Sequence, residues 1–432
     1  MDVKKTADFP ISNFIEFRTK MLNWAQPFNI FCFLDNRQYD FEAPAFECML
    51  AVGCKKKMEV SGGKAFAALS AFNKEKDDWI FGHLGYDLKN ETEQLSSNNF
   101  DGIQFPDCFF FIPEMVLRLN EKTVTISGVD IDAEIIFNAI GAASPGFPKM
   151  TLNHLRINGR VPEDEYIQTV KKLQEYILRG DCYEINFCQE FYAIDAVINP
   201  LAVYHELVSV SPNPFSALYK LNDKYCICAS PERYLKKRGR RVFCQPIKGT
   251  AKRNLNDCIL DEKSRQDLYL NEKERSENVM VVDLVRNDLS KVCVEGSVRV
   301  DELFGIYSFP QVHQMISTVS GELRENLELA DVISATFPMG SMTGAPKKRV
   351  MQLIEQYEKT KRGLFSGALG YIDPKGDGDF NVVIRSILYN ASAKYLSFET
   401  GSAITFYSDA KKEYEECLLK GEAMRIALSG TD

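Results

Sequence analysis

An α+β fold carried mostly by antiparallel sheet is what this sequence predicts, and three observations predict it. Short apolar runs bounded by turn-forming residues recur along the chain, as strands do. A few longer segments instead repeat apolar residues at helical spacing. The two kinds do not alternate strictly, as parallel βαβ units would require.

Taken in order, residues 29–34, 79–85, 108–113, 116–119 and 123–126 read as strands, with a few helices among them. Glycine, proline and small residues then cluster over 141–148. That cluster divides the chain into an N-terminal region, 1–150, which packs with and completes the fold, and a second part, 151–432. A well-marked helix follows. Pro162 suits its first turn, Glu163, Asp164 and Glu165 favour its positive end, and Gly180 closes it. Its apolar stripe is Tyr166, Val170, Leu173 and Ile177. Strands are expected at 184–192, 215–221, 225–230 and 241–247, then helices at 271–289, 346–359 and 409–428. Two more strands, 367–372 and 381–389, lie between the last two helices.

With 432 residues, 45% hydrophobic and 26% charged, the chain has ample material for a large core. The net charge is -8, with acids and bases interspersed and no basic stripe, so nucleic acid is not an expected partner. No apolar stretch is long enough to span a membrane, and residues 1–8 lead into no signal-peptide core. A cytoplasmic protein is expected. Its twelve cysteines are then expected as buried thiols, with Cys226 and Cys228 alternating onto one strand face. Four histidines and no CxxC pair argue against zinc.

Two carboxylate pairs stand out. Glu274 and Glu277 share a helix face with Val281 and Leu284, while Glu413, Glu416 and Lys420 border Cys417, Met424 and Leu428. Acids on an apolar stripe are costly unless paired or bound to a cation. A solvated, salt-bridged face is the plainer account of either pair. Together they suit a hard cation such as Mg2+, which needs only one or two protein carboxylates. The turn at 340–347, with Thr343 and Gly344, leads into a helix and could receive an anion, or could be a simple helix entry. The turn at 400–405, with Gly401, Ser402 and Ala403, is a second candidate, and Arg385 is a cation on an apolar strand. Lys248, at a strand end before Gly249, is either a solvated amine or a nucleophile. Glu232 ends another strand, where a dry pocket would make it a general acid.

Read in order, these motifs resemble the chorismate-utilising family that includes anthranilate synthase and aminodeoxychorismate synthase component I. The resemblance rests on residues 180–186, 230–232, 246–250, 273–278, 283–289, His313 with 317–319, 343–347, 367–371 and 413–416, and more weakly on 82–88. It implies an anthranilate-synthase-like fold of two large antiparallel sheets stacked between helical layers, with 151–432 as the chorismate-binding catalytic part. It implies Mg2+ held by Glu277 and Glu416 with Glu274 and Glu413 in support. Substrate carboxylates are placed near Tyr371, Arg385, Gly401 and Lys420, with His313 close to the ring and Glu232 as general acid.

Lys248 chooses within the family. Anthranilate synthases usually carry alanine there, whereas many aminodeoxychorismate synthases carry lysine. The expected reaction is therefore replacement of the chorismate 4-hydroxyl by an amino group through a covalent lysine. Glu184 stands where relatives often have glutamine and isochorismate-forming relatives have lysine, which argues against water addition. Ser402 replaces a second glycine of the family. Residues 29–36 lack the segment of tryptophan-inhibited relatives, so such feedback is not expected. None of the cysteines lies in a Gly-x-Cys-x-Gly elbow, so ammonia is expected from a separate glutamine amidotransferase subunit. Two competing readings are an anthranilate synthase component I and a silent chorismate- or amino-acid-binding regulatory subunit.

Overall fold

The computed structural model describes residues 4–39, 47–74, 78–148 and 155–429. Their strands form two sheets, one of twelve strands and one of ten. Each pairing within the sheets is antiparallel, as the α+β expectation requires. The larger sheet runs from Lys4–Pro10 through Ile30–Asp35, Phe215–Leu221 and Lys224–Ser230 to Tyr395–Ile404, Glu184–Ala193 and the short strand Gly344–Ala345. The smaller runs from Ile247–Lys252 through Val312–Glu322 and Arg233–Arg238 to Ala368–Ile372, Ile80–Leu84 and Lys56–Val60. The N-terminal region gives strands to both: Ile30–Asp35 pairs with Phe215–Leu221, and Ile80–Leu84 with Ala368–Ile372. The expected division at residue 150 lies within 149–154, outside the described residues.

Alternation sorts the larger sheet's side chains into two cores. Ile30, Cys32, Cys226 and Cys228 join Phe81, Phe109 and Phe111 of the smaller sheet. Phe31, Phe33, Ile227 and Ala229 point the other way, to Phe17 of the helix Phe14–Ala25 and Leu207 of the helix Pro200–Val210. Val281 and Val285 of the helix Glu272–Ser290, with Ile333 of Leu329–Thr336, belong with the smaller sheet. The two sheets are therefore stacked between helical layers. Burial on both faces explains why strands such as Cys48–Val52 are apolar throughout. Each fully buried phenylalanine contributes about 1.5–3 kcal/mol. All twelve cysteines are free thiols. Among the described residues, no helix is long and apolar enough to cross a membrane.

The helix after Pro162 forms as Glu163–Leu178, with Pro162 as its cap and Gly180 at φ +82 just beyond it. Two expectations need correction. The single strand expected at 381–389 is two strands: Gly378–Val382 in the smaller sheet and Ser386–Asn390 in the larger. The apolar run Val382-Val383-Ile384 reads as one strand but spans the crossing between sheets, and Arg385 sits in that crossing at φ +51. The expected turn at 400–405 is instead the end of the strand Tyr395–Ile404, with Gly401, Ser402 and Ala403 opposite Cys188, Phe187 and Asn186. Gly401 marks a close approach rather than a turn, since a Cβ there would lie 2.2 Å from the Phe187 carbonyl oxygen.

Candidate active site

Lys248 is the second residue of the edge strand Ile247–Lys252, and the register slips between Ile247 and Thr250. Gly249 allows the slip, at φ +97. The Lys248 side chain reaches the larger sheet, where its Nζ meets Glu184 Oε1 at 2.8 Å. Glu184 is buried, and its other oxygen, Oε2, has no hydrogen-bond partner among the described residues. Burial disfavours the Lys248 charge, but Glu184, Glu277 and Glu232 outweigh it and hold the amine above its ordinary value. At rest Lys248 is an ammonium.

Glu232 sits where the chain passes from Lys224–Ser230 in the larger sheet to Arg233–Arg238 in the smaller. Its backbone N–H donates to Ser230 Oγ at 3.2 Å, and its carbonyl accepts from Val382 N–H at 3.0 Å. Burial pushes its carboxyl up to about 7, opposed by the Ser341 hydroxyl and the Lys248 charge. A carboxyl in that range is partly protonated at neutrality and can give its proton up.

Ser341 belongs to the turn Gly340–Met342. The next residues pair Glu184 with Ala345 and Ile185 with Gly344. Gly344 has φ +138, and a Cβ there would stand 2.1 Å from the Glu184 carbonyl oxygen, so only glycine fits. Thr343 is buried with its hydroxyl donating to backbone carbonyls, Met339 O and Gly340 O, both at 3.3 Å. The residue types expected to receive an anion thus also lock this turn onto the Glu184 strand.

The four glutamates lie on two helices, Glu272–Ser290 and Ala410–Ser429. The Lys273 ammonium sits 3.7 Å from Glu277 and 3.8 Å from Glu413, so the gap already takes a cation. Burial pushes the Glu277 carboxyl up to about 7 against the pull of Lys248, and its buried Oε1 accepts no hydrogen bond. Burial also raises Glu274. Burial would raise Glu416 too, but Lys420 at 2.7 Å reverses the shift. Among the described residues, no three His, Cys, Asp or Glu side chains converge closely enough to hold a metal alone. A Mg2+ ion held by one or two carboxylates plus water and substrate oxygens fits this spread. Lys420 also donates to Gly401 O at 3.0 Å, and Arg385 Nη1 donates to Lys420 O at 2.8 Å. Arg385, Gly401, Lys420 and Glu416 thus form one connected group.

Three expected site residues make contacts of their own. Both ring nitrogens of buried His313 are engaged, Nδ1 with Ser308 Oγ at 2.8 Å and Nε2 with Asp261 at 3.2 Å. Tyr371 packs on Trp79 and Phe81, opposite Asp379. It lies three residues along its strand from Ala368, which faces Val382 before the crossing, a distance of roughly 10 Å. The Ser402 hydroxyl faces Tyr166 OH at 3.4 Å, on the helix side.

One group was not foreseen. Arg362 is buried and bidentate with Glu358, at 2.9 Å from Nε and 2.6 Å from Nη2. It donates further to Met342 O at 2.7 Å and Asn186 O at 2.8 Å, while Glu358 accepts from Cys188 N–H at 2.9 Å. This clamp ties the 340–344 turn to the Glu184 strand.

Comparison with known proteins shows the family. A family model described as chorismate binding enzyme matches residues 30–425. An aminodeoxychorismate synthase component 1 from Bacillus subtilis is 32% identical over 361 residues, covering 80% of this chain and 76% of the relative. An anthranilate synthase component I-like protein from Synechocystis is 33% identical over 361 residues, covering 82% and 73%. Among solved structures, anthranilate synthase component I from Streptococcus pneumoniae superposes with a TM-score of 0.77 at 25% identity, covering 90% of this chain and 94% of that one. The chain belongs to the family of chorismate binding enzymes.

Proposed function

We propose that this chorismate binding enzyme is the chorismate-consuming component of an aminodeoxychorismate synthase, converting chorismate and ammonia to 4-amino-4-deoxychorismate. The observation that carries the reading is a buried lysine, Lys248, acting by charge on a buried carboxyl, Glu232, that burial pushes up to about 7. A proton donor and a nucleophile close enough to feel each other's charge are what a two-step displacement needs. Lys248 Nζ, once free of a proton, bonds to chorismate C2 while the C4–oxygen bond breaks. Glu232 gives its proton to the departing oxygen, which leaves as water. Ammonia then bonds to C4, and the C2–Nζ bond breaks to return Lys248.

Arg385 and Lys420 supply positive charge for the substrate carboxylates beside the Gly401 strand. Mg2+, held by Glu277 and Glu416 with Glu274 and Glu413 in support, would add charge for a carboxylate. His313, held by Ser308 and Asp261, is not needed for either displacement as written. Ammonia is drawn from a separate glutamine amidotransferase, a reading supported by relatives named as component 1. Likeness to an anthranilate synthase component I-like protein supports a second reading, in which ammonia adds at C2 directly. Product identity separates the two. With chorismate, Mg2+ and ammonia, the first reading expects a non-aromatic amino product, and fluorescent anthranilate would refute it.

A further inference from the structure

Glu184 is the titratable group that touches the proposed nucleophile, and the sequence of events above leaves it without work. Its Oε1 is 2.8 Å from Lys248 Nζ, and its Oε2 is buried with no hydrogen-bond partner among the described residues. A carboxylate placed only to hold a lysine is expected to have its lone pairs used, as Glu358 does against Arg362 and the Cys188 N–H. Glu184 instead keeps one buried oxygen free to take a further bond. Glu277, Glu232, Glu274 and Glu416 also act on Lys248 through their charge. None of these four is within ion-pair distance, so among the described residues Glu184 is the one placed to take the proton directly.

We infer that Glu184 is the base that removes the Lys248 proton, stores it while the substrate is covalently bound, and returns it at release. The inference rests on the covalent reading proposed above. The proton passes from Nζ to a Glu184 oxygen, leaving a neutral amine and a carboxylic acid. The amine bonds to C2, the C4–oxygen bond breaks, and the Glu232 proton leaves in water. After ammonia bonds to C4 and the C2–Nζ bond breaks, the neutral Lys248 amine recovers its proton from Glu184. Glu232 is recharged from solvent. Substrate entry drives the first transfer, because expelling water favours a neutral amine–acid pair over an ion pair.

The test follows adduct formation by intact-protein mass spectrometry with chorismate and Mg2+ and no ammonia. Glu184→Gln keeps a hydrogen bond to Lys248 but cannot take its proton. It is expected to bind chorismate within about threefold of wild type and to form adduct at least about tenfold more slowly at pH 7, a typical base contribution being larger still. Its rate as a fraction of the wild-type rate should climb between about pH 6 and 7, because solvent must then take the proton. Glu184→Asp retains the base, so its slower rate should stay a constant fraction of wild type. Adduct at the wild-type rate in Glu184→Gln, or a slow rate that stays a constant fraction of wild type across this range, overturns the inference while leaving the covalent route standing. Wild type that forms no adduct, and yields anthranilate once ammonia is added, overturns both.

Discussion

Two buried ion pairs in this molecule look alike by charge and differ in how completely they are satisfied. Arg362 uses its fork on Glu358 and spends its remaining donors on Met342 O, Asn186 O and Ser366 Oγ. Lys248 meets Glu184 through a single oxygen and leaves the other without a partner. The first pair can do nothing but hold two segments together, and the second is ready for a further bond. Satisfaction, more than burial or charge, separates a structural joint from a reactive group.

That contrast can be broken at several points. Lys248→Ala should lower aminodeoxychorismate formation by roughly 10³-fold or more while chorismate still binds, because the nucleophile is gone. A loss of binding in proportion would make Lys248 an anchor instead. Glu232→Gln should lower kcat by about 10²-fold, as removal of a general acid does. Glu232 must be protonated to act, so wild-type kcat/KM should fall as pH rises through about 7, and this limb should vanish in Glu232→Gln. A pH profile with the limb intact in the variant assigns it elsewhere.

The satisfied pair should respond differently. Arg362→Met leaves a buried, unpaired Glu358 and should cost about 3–5 kcal/mol in denaturant unfolding. Adding Glu358→Leu should recover most of that stability. Activity should not follow, since the Met342 and Asn186 carbonyls remain unpaired and the turn loses its tie, with KM for chorismate raised about tenfold. Stability and activity recovered together would reduce the clamp to ordinary packing. The smallest effect is expected at His313. His313→Asn should change kcat by less than about threefold while lowering stability by about 1–2 kcal/mol, the size of a lost buried hydrogen bond.

The same contrast explains what could be read from the chain. Lys248, Glu232 and the two glutamate pairs were legible because their motifs are short and their helix spacing is regular. Arg362 was not, since an acid and a base four residues apart is common on solvated helices and only burial gives the pair its force. The change of sheet at 383–385 escaped because its residues are as apolar as a strand, and which sheet a strand joins is a long-range matter. The helix Cys258–Leu270 escaped for the opposite reason. Leu268 is its one buried residue, so it carries no apolar stripe to detect. Tyr371 and His313 lie in matched motifs, but their side-chain partners depend on neighbouring strands and on that unforeseen helix.

The most direct test of the account mixes chorismate, Mg2+ and the purified chain without ammonia and weighs the intact protein. The account predicts a mass increase equal to chorismate less one water, absent in Lys248→Ala. No increase in wild type, with anthranilate appearing once ammonia is added, would contradict it and make Lys248 a bystander.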